Sequence, residues 1–277
     1  MDTNVLFEQF YYSRPSFVGG TAVFHGLCRR HIPPGSRILE IGPGPANATS
    51  AFVRTLGELI GVDVSAAARR NPALAQALTY DGQTLPFASA SFDACVSNYV
   101  LEHIASPETH FREVARVLRP GGVYCFRTPN LWHYAPLLSA LLPHCLHLRL
   151  ANWLRGYGAE ADDPYPTRYR ANTRSAVIRY ARRGGLEIEQ LDYLEAEPSY
   201  GRAHPLLFWP MMLYERLVNA TGALAPFRMN IFAVLRRPPG PRPRSSAAGP
   251  LGAASGPAGL AGQGDCQFQE DNHEHRD

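Results

Sequence analysis

Between residues 36 and 130, short apolar runs alternate with amphipathic stretches: SRILEIG, ANATSAFVRTL, ELIGVDVS, ALTYD, SFDACVSN, PETHFREVARVL and GGVYCFRTP follow one another at the spacing of βα units. A strand covered by helices on both faces is apolar along its whole length, whereas one that meets water alternates, so these runs read as buried parallel strands. Parallel strands need crossover connections. The pattern therefore predicts an α/β fold: a doubly wound, mostly parallel sheet with helices on both faces. The clearest helix covers 106–118, with Ser106 as its expected cap, Pro107 in the first turn, and Phe111, Val114, Ala115 and Leu118 as its apolar stripe. Pro120-Gly121-Gly122 ends it. Two more strands, LEIEQLDYL near 186 and MNIFAVLRR near 229, complete the sheet, and TRSAVIRYARRG before the first of them reads as a helix.

This pattern places one main domain at 35–237, preceded by an N-terminal cap segment at 1–34 and carrying an insertion at about 131–171. From Pro238 the chain turns to Pro, Gly, Ala and Ser, which cannot bury enough apolar surface to offset the entropy of ordering, so 238–277 is expected to be disordered. Five scattered cysteines with no CxxC pair indicate neither a disulfide framework nor a zinc site, and no metal site is expected. The start MDTNVLFEQFYYSR does not read as a secretory signal, and a reducing cytoplasm is the expected location. All 27 basic residues are arginine, but the net charge is only +3, which gives no sign of a nucleic-acid partner. The apolar segments at 134–154 and 204–220 are too interrupted by Pro, His, Glu and Arg to span a bilayer. They read as packed helices that line a pocket or touch a membrane surface. Oligomeric state is left open.

In Glu40-Ile41-Gly42-Pro43-Gly44-Pro45-Ala46, an apolar strand enters a tight turn before a helix that starts near Ala46 or Asn47. Gly42 and Gly44 suit a sharp backbone turn that a ligand approaches without a Cβ in the way. A dinucleotide fingerprint would need glycine where Asn47 stands, which counts against a pyrophosphate ligand. Asp63, 21 residues after Gly42, ends the second strand, where a carboxylate accepts hydrogen bonds from the hydroxyls of an adenosine ribose; the alternative is a cap for the next helix, a role for which Ser65 competes.

The order Tyr80-Asp81-Gly82-Gln83-Thr84-Leu85-Pro86-Phe87, Ser91-Phe92-Asp93, Leu101-Glu102-His103 and Arg116-Val117-Leu118-Arg119-Pro120-Gly121-Gly122 resembles the class I methyltransferase family, whose members read D-x-x-x-L-P-F, S-F-D, E-H and R-V-L-x-P-G-G after the glycine loop. The likeness is good over roughly 34–130 and general elsewhere. It implies a Rossmann-like sheet of seven strands with an antiparallel last strand, and S-adenosylmethionine as cofactor. It also implies that Asp81 meets the adenine amino group and the Gly82 amide a ring nitrogen, with Glu40 at the turn or amino-acid end and Asn98 near the methionine moiety. His103 is the candidate general base, in competition with a role bracing its turn. Related quinone-precursor methyltransferases carry a metal-binding glutamate where this chain has Tyr99, so a metal-assisted mechanism does not carry over.

A small-molecule acceptor would enter between the N-terminal segment and the insertion, for which Tyr11, Tyr12, His133, Tyr134, Arg168 and Arg170 are the candidate contacts. Between Arg149 and Arg183 eight arginines face three acids, a local excess suited to an anionic group or surface. A secondary metabolite, quinone, sugar or lipid-linked molecule fits that mixture. The competing readings are an NAD-type oxidoreductase or epimerase, which leaves the motifs after Asp63 unexplained, and a catalytically silent scaffold. An RNA or protein methyltransferase is disfavoured because the chain shows no appended recognition module.

Overall fold

The strand β1 (Ser36–Ile41) lies near the middle of a seven-stranded sheet and buries side chains on both faces, as the adjacent apolar residues Ile38 and Leu39 require. Its partners are β2 (Gly57–Asp63), β3 (Gln76–Thr79), β4 (Phe92–Asn98), β5 (Leu118–Pro129), β6 (Glu187–Leu194) and β7 (Asn230–Arg236), in the order β3-β2-β1-β4-β5-β7-β6. The first five strands pair in parallel, and β7 runs antiparallel between β5 and β6. This is the expected mixed, doubly wound sheet. The computed structural model describes residues 2–141, 165–202 and 204–240, all within a unit spanning Met1–Gly240.

Seven α-helices lie among the described residues: α1 (Thr3–Phe7), α2 (Gly20–His31), α3 (Ala48–Val53), α4 (Pro107–Val117), α5 (Tyr134–Leu141), α6 (Arg174–Arg183) and α7 (Pro205–Ala220). Side chains alternate across a strand, so β1 sends Leu39 and Ile41 to one face and Ile38 to the other. On the first face they pack with Phe111 and Val114 of α4, Val177 and Ala181 of α6, and Tyr124 and Phe126 of β5. On the second, Phe24, Leu27 and Cys28 of α2 and Val53 of α3 cover Val96, Cys125 and Phe232. Thus α2, which falls in the stretch expected as a cap, is built into the second face. Removing a ring as enclosed as Phe24 would cost about 3–5 kcal/mol. A third cluster joins Leu6, Phe7 and Tyr11 to Phe208 of α7.

One local expectation is corrected. Ser106 makes no side-chain cap bond at the start of α4; its carbonyl accepts His110 N–H at 3.0 Å. Pro107 at the first position has no N–H, so the helix start has one fewer donor to satisfy. The apolar run beyond Leu141 and most of the tail, 241–277, lie outside the described residues. Among the described residues no helix is long and apolar enough to cross a membrane.

The strand order reverses between β1 and β4. In open α/β sheets the carboxyl ends of the strands at such a reversal form the natural ligand crevice.

Candidate functional site

At that reversal the turn after β1 leaves a cleft of about 320 Å³, floored by Glu40 and Gly42 and walled by Thr21, Asn98, Arg127 and the segment Pro45–Thr49. Gly42 and Gly44 both have positive φ, 67° and 59°, and a Cβ on Gly42 would lie 2.6 Å from Val100 Cγ2. Any other residue at Gly42 would therefore be strained and would also collide. Asn47 straps the turn: its Nδ2 donates to the carbonyls of Pro43 (2.8 Å) and Pro45 (3.0 Å), and its Oδ1 accepts Ser50 N–H (2.9 Å). The helix-start amide of Ser50, one that a pyrophosphate would seek, is thus already occupied.

Glu40 is buried, and its Oε2 has no hydrogen-bond partner. Ser50 Oγ accepts from Asn47 Nδ2 (2.8 Å) and Asn71 Nδ2 (3.0 Å), which leaves its proton for Glu40. Burial, reinforced by the nearby Asp63 charge and opposed by Ser50, pushes the Glu40 carboxyl up to about 7. A carboxylate in this state has a strong preference for a cationic partner. Arg127, also buried, lines the same cleft. Its Nε donates to Asn98 Oδ1 at 2.7 Å, one of its terminal nitrogens reaches Thr21 Oγ1 at 3.4 Å, and its guanidinium lies 4.4 Å from the centre of the Tyr99 ring. Among the described residues no carboxylate forms a salt bridge with it. Burial lowers its proton affinity, partly offset by Tyr99 and Glu102. Tyr99 itself has φ 58°, backbone strain of the kind that concentrates at ligand sites.

Of the residues expected at the cofactor, Glu40, Gly42 and Asn98 line this cleft. Asp63 is buried beside it, with Oδ2 accepting Gly44 N–H (2.9 Å) and Oδ1 accepting Ser65 N–H (2.8 Å). It thus braces the glycine turn, while Ser65 caps the following 3-10 turn, Ala66–Arg70. Asp81 is exposed, and its Oδ1 accepts the amides of Gln83 and Thr84, both at 2.8 Å, which hold its carboxyl below the usual range. Gly82 packs against Val64, 3.3 Å from where a Cβ would stand. His103 stands apart from the cleft: its Nδ1 lies 3.4 Å from Pro166 O, and its ring meets Tyr165 edge-on.

The residues expected at the acceptor are placed elsewhere. Tyr11 is buried and donates to Glu215 Oε2 (2.9 Å), and Tyr12 donates to Glu197 Oε2 (2.9 Å) and contacts Arg202. His133 is enclosed by Tyr134, Tyr200 and Tyr214. Its Nδ1 accepts Ala135 N–H at 3.3 Å, which puts the ring proton on Nε2, 3.5 Å from Glu195 Oε2. That separation is an ion-pair distance but too long for a good hydrogen bond. Burial pushes His133 down to about 3 and Glu195 up to about 8, so both are neutral near pH 7. Arg168 is exposed, and its backbone N–H donates to Glu102 O (2.6 Å); the Arg170 guanidinium donates to Ala105 O (2.6 Å). None of these six lines the cleft. Thr21, Thr49 and Arg127 do, and the sequence reading passed them over. Arg127 had a signal: it is the one charge within the otherwise uncharged run GGVYCFRTP.

Among the described residues no cluster of His, Cys, Asp and Glu could hold a metal. The cleft instead pairs a buried carboxylate with a buried guanidinium, the complement of a zwitterion.

Residues 39–126 match the family model described as a methyltransferase domain. An uncharacterized methyltransferase of Mycobacterium sp. (strain JLS) is 37% identical over 95 residues, covering 33% of this chain and 38% of that protein. A demethylmenaquinone methyltransferase of Mycolicibacterium paratuberculosis is 33% identical over 124 residues, covering 42% and 52%. The matched stretch is thus about half or less of each relative's length. The fold is similar to that of the YcgJ protein of Bacillus subtilis, with a TM-score of 0.51 at 18% identity over 78% of this chain and 98% of that one.

Proposed function

We propose that this chain, whose residues 39–126 match a methyltransferase-domain model, binds S-adenosylmethionine in the cleft at the β1–β4 reversal and transfers its methyl group to a small-molecule acceptor. The observation that carries the proposal is that Glu40 and Arg127 line the same cleft. The amino-acid end of the cofactor presents an ammonium and a carboxylate, and the cleft is lined by both a buried carboxylate with an unpartnered oxygen and a buried guanidinium without a salt bridge. Glu40 would hold the ammonium, while Arg127, oriented by Asn98 and Thr21, would hold the carboxylate. Gly42 would let the backbone close on the ligand, with Asp63 supporting that turn through Gly44 and facing the ribose.

When bound, the cofactor supplies an activated methyl on a sulfonium. Methyl transfer is an in-line displacement, so the tasks left to the protein are alignment and exclusion of water. Burial of Glu40 and Arg127 keeps their fields unscreened and fixes one end of the ligand. Asp81 and Gly82 form the turn on which the adenine would rest. His103 is the candidate base for a protonated nucleophile.

A relative named demethylmenaquinone methyltransferase makes a quinone nucleus the first acceptor to test. Incubation with methyl-labelled S-adenosylmethionine, a naphthoquinol and metabolite extracts should move label into a small molecule. Label released only as methanol, or retained on the cofactor with every acceptor despite cofactor binding, would remove the enzymatic reading.

A further inference from the structure

Arg127 forms no salt bridge among the described residues, and aromatic rings stand around its charge instead. The guanidinium carbon lies 4.4 Å from the centre of the Tyr99 ring, 5.6 Å from that of Phe24 and 5.9 Å from that of Phe232. Glu102, an acid whose charge reaches Arg127, accepts Thr128 Oγ1–H at 3.2 Å. Phe24 of α2 and Phe232 of β7 are fixed in the buried core. Tyr99 is different: it follows the last residue of β4, is only partly buried, and is tied down at both ends. Its N–H donates to Arg127 O (2.9 Å), and its Oη–H donates to Asn230 Oδ1 (2.9 Å). Its φ of 58° is a conformation that a tyrosine keeps only where its surroundings over-determine it.

We infer that Tyr99 is a positioning residue: its ring holds the Arg127 guanidinium by a contact that brings no counter-charge, so that the cleft selects a nucleoside ending in a carboxylate over the same nucleoside without one. A carboxylate in the place of the ring would also hold the guanidinium, but it would cancel the charge and compete with the carboxylate of a ligand. The face of a tyrosine ring attracts a cation through its quadrupole and carries no net charge, so Arg127 is held while its charge stays available. Its Nε is taken by Asn98 and one terminal nitrogen by Thr21, whereas among the described residues the other terminal nitrogen makes no hydrogen bond. A guanidinium fixed at Nε and across its face presents that nitrogen in one geometry, which lowers the ordering cost of binding. Tyr99 does not itself line the cleft, so its effect passes through Arg127. This inference rests on the reading that the cleft takes S-adenosylmethionine.

The test is calorimetric titration of the full chain with S-adenosylhomocysteine and with methylthioadenosine, a nucleoside thioether without the amino-acid end. The parent chain should bind the first more tightly, and the ratio of the two affinities is the readout. Tyr99→Leu removes the ring and should weaken S-adenosylhomocysteine about tenfold while leaving methylthioadenosine within about twofold. Tyr99→Phe keeps the ring and should keep most of the ratio. Tyr99→Glu sets a counter-charge beside Arg127 and should bring the ratio close to one, which decides the matter if Tyr99→Leu fails to fold. Equal weakening of both ligands by Tyr99→Leu would make Tyr99 a packing residue and overturn the inference. So would a Tyr99→Phe chain as unselective as Tyr99→Leu, which would assign the effect to the Asn230 bond. A parent chain that binds both ligands alike would remove the carboxylate subsite and the zwitterion reading with it. Parent selectivity that survives Tyr99→Leu or Tyr99→Glu would remove this inference alone.

Discussion

The Glu40–Asn98–Arg127 cleft and the His133–Glu195–Glu215 cluster draw on the same residue types, yet they solve the problem of buried polarity in opposite ways. In the second, Tyr11 and Asn219 bond Glu215, Met229 N–H reaches Glu195 at 2.7 Å, and His133 and Glu195 are held neutral. Its polar groups turn inward and are enclosed by aromatic rings. In the first, an oxygen of Glu40, whose carboxyl burial pushes up to about 7, lacks a hydrogen-bond partner, Arg127 forms no salt bridge among the described residues, and both border open space. Neutralised, enclosed polarity is architecture. Polarity left without a partner on a cleft is complementary to something that binds, and its cost to the free protein is recovered when the ligand arrives.

The largest effect that could break this contrast is expected at Arg127. Arg127→Met should weaken S-adenosylhomocysteine by about 2–4 kcal/mol in calorimetry, through loss of a desolvated charge contact, while leaving the melting temperature unchanged or higher. A variant that binds normally but is destabilised would make Arg127 architectural. Asp63→Ala should weaken the same ligand by about 1–3 kcal/mol, because Gly44 N–H loses its acceptor and the proposed ribose contact goes with it. Unchanged affinity would reduce Asp63 to a local brace.

Glu195 tests the other region. Folded, it keeps its proton up to about pH 8; unfolded, only to about 4.5. The folded chain thus binds the extra proton across that window, and Glu195 makes stability fall as pH rises through it. His133 and His110 act on the acid side: burial sets them at about 3 and about 4 against 6.5 unfolded, so they withdraw stability as pH falls below 6.5. Glu195→Gln, which mimics the protonated acid, should flatten the decline between pH 6.5 and 8 and add about 1–2 kcal/mol at pH 8, with ligand affinity unchanged. An unaltered profile in urea melts would refute the neutral assignment. The smallest effect is expected at His103. Because its ring lies off the cleft, His103→Ala should leave ligand affinity within about 0.5 kcal/mol of the parent, and any loss should fall on turnover alone. Loss of affinity instead would place His103 in the ligand site.

The sheet was legible in the sequence because a parallel strand buried on both faces carries adjacent apolar residues rather than a strict alternation, as Ile38-Leu39 does in SRILEI and Ala94-Cys95-Val96 in FDACVSN. The turn residues Gly42 and Gly44 were legible for the same local reason, since positive φ leaves few other choices. Orientation was not. The segment from Pro205 to Ala220 is apolar around much of its circumference, so hydropathy could not say which side faces water; the bond between Tyr11 and Glu215, 204 positions apart, decides it. The aromatics grouped as acceptor contacts failed to separate for a similar reason. A tyrosine that packs and a tyrosine that binds look alike until the fold shows what lies above the ring. Arg127 is the reverse case: a charge inside the buried part of a strand is costly enough to imply a purpose, and its neighbours Asn98 and Thr21 supply the geometry.

The central claim, that the cleft is a zwitterion site for S-adenosylmethionine, is tested most directly by calorimetric titration of the full chain with S-adenosylhomocysteine and, separately, with NAD. One-site binding of S-adenosylhomocysteine in the micromolar range, with no heat from NAD, is the predicted result. Saturable binding of NAD with none of S-adenosylhomocysteine would contradict it.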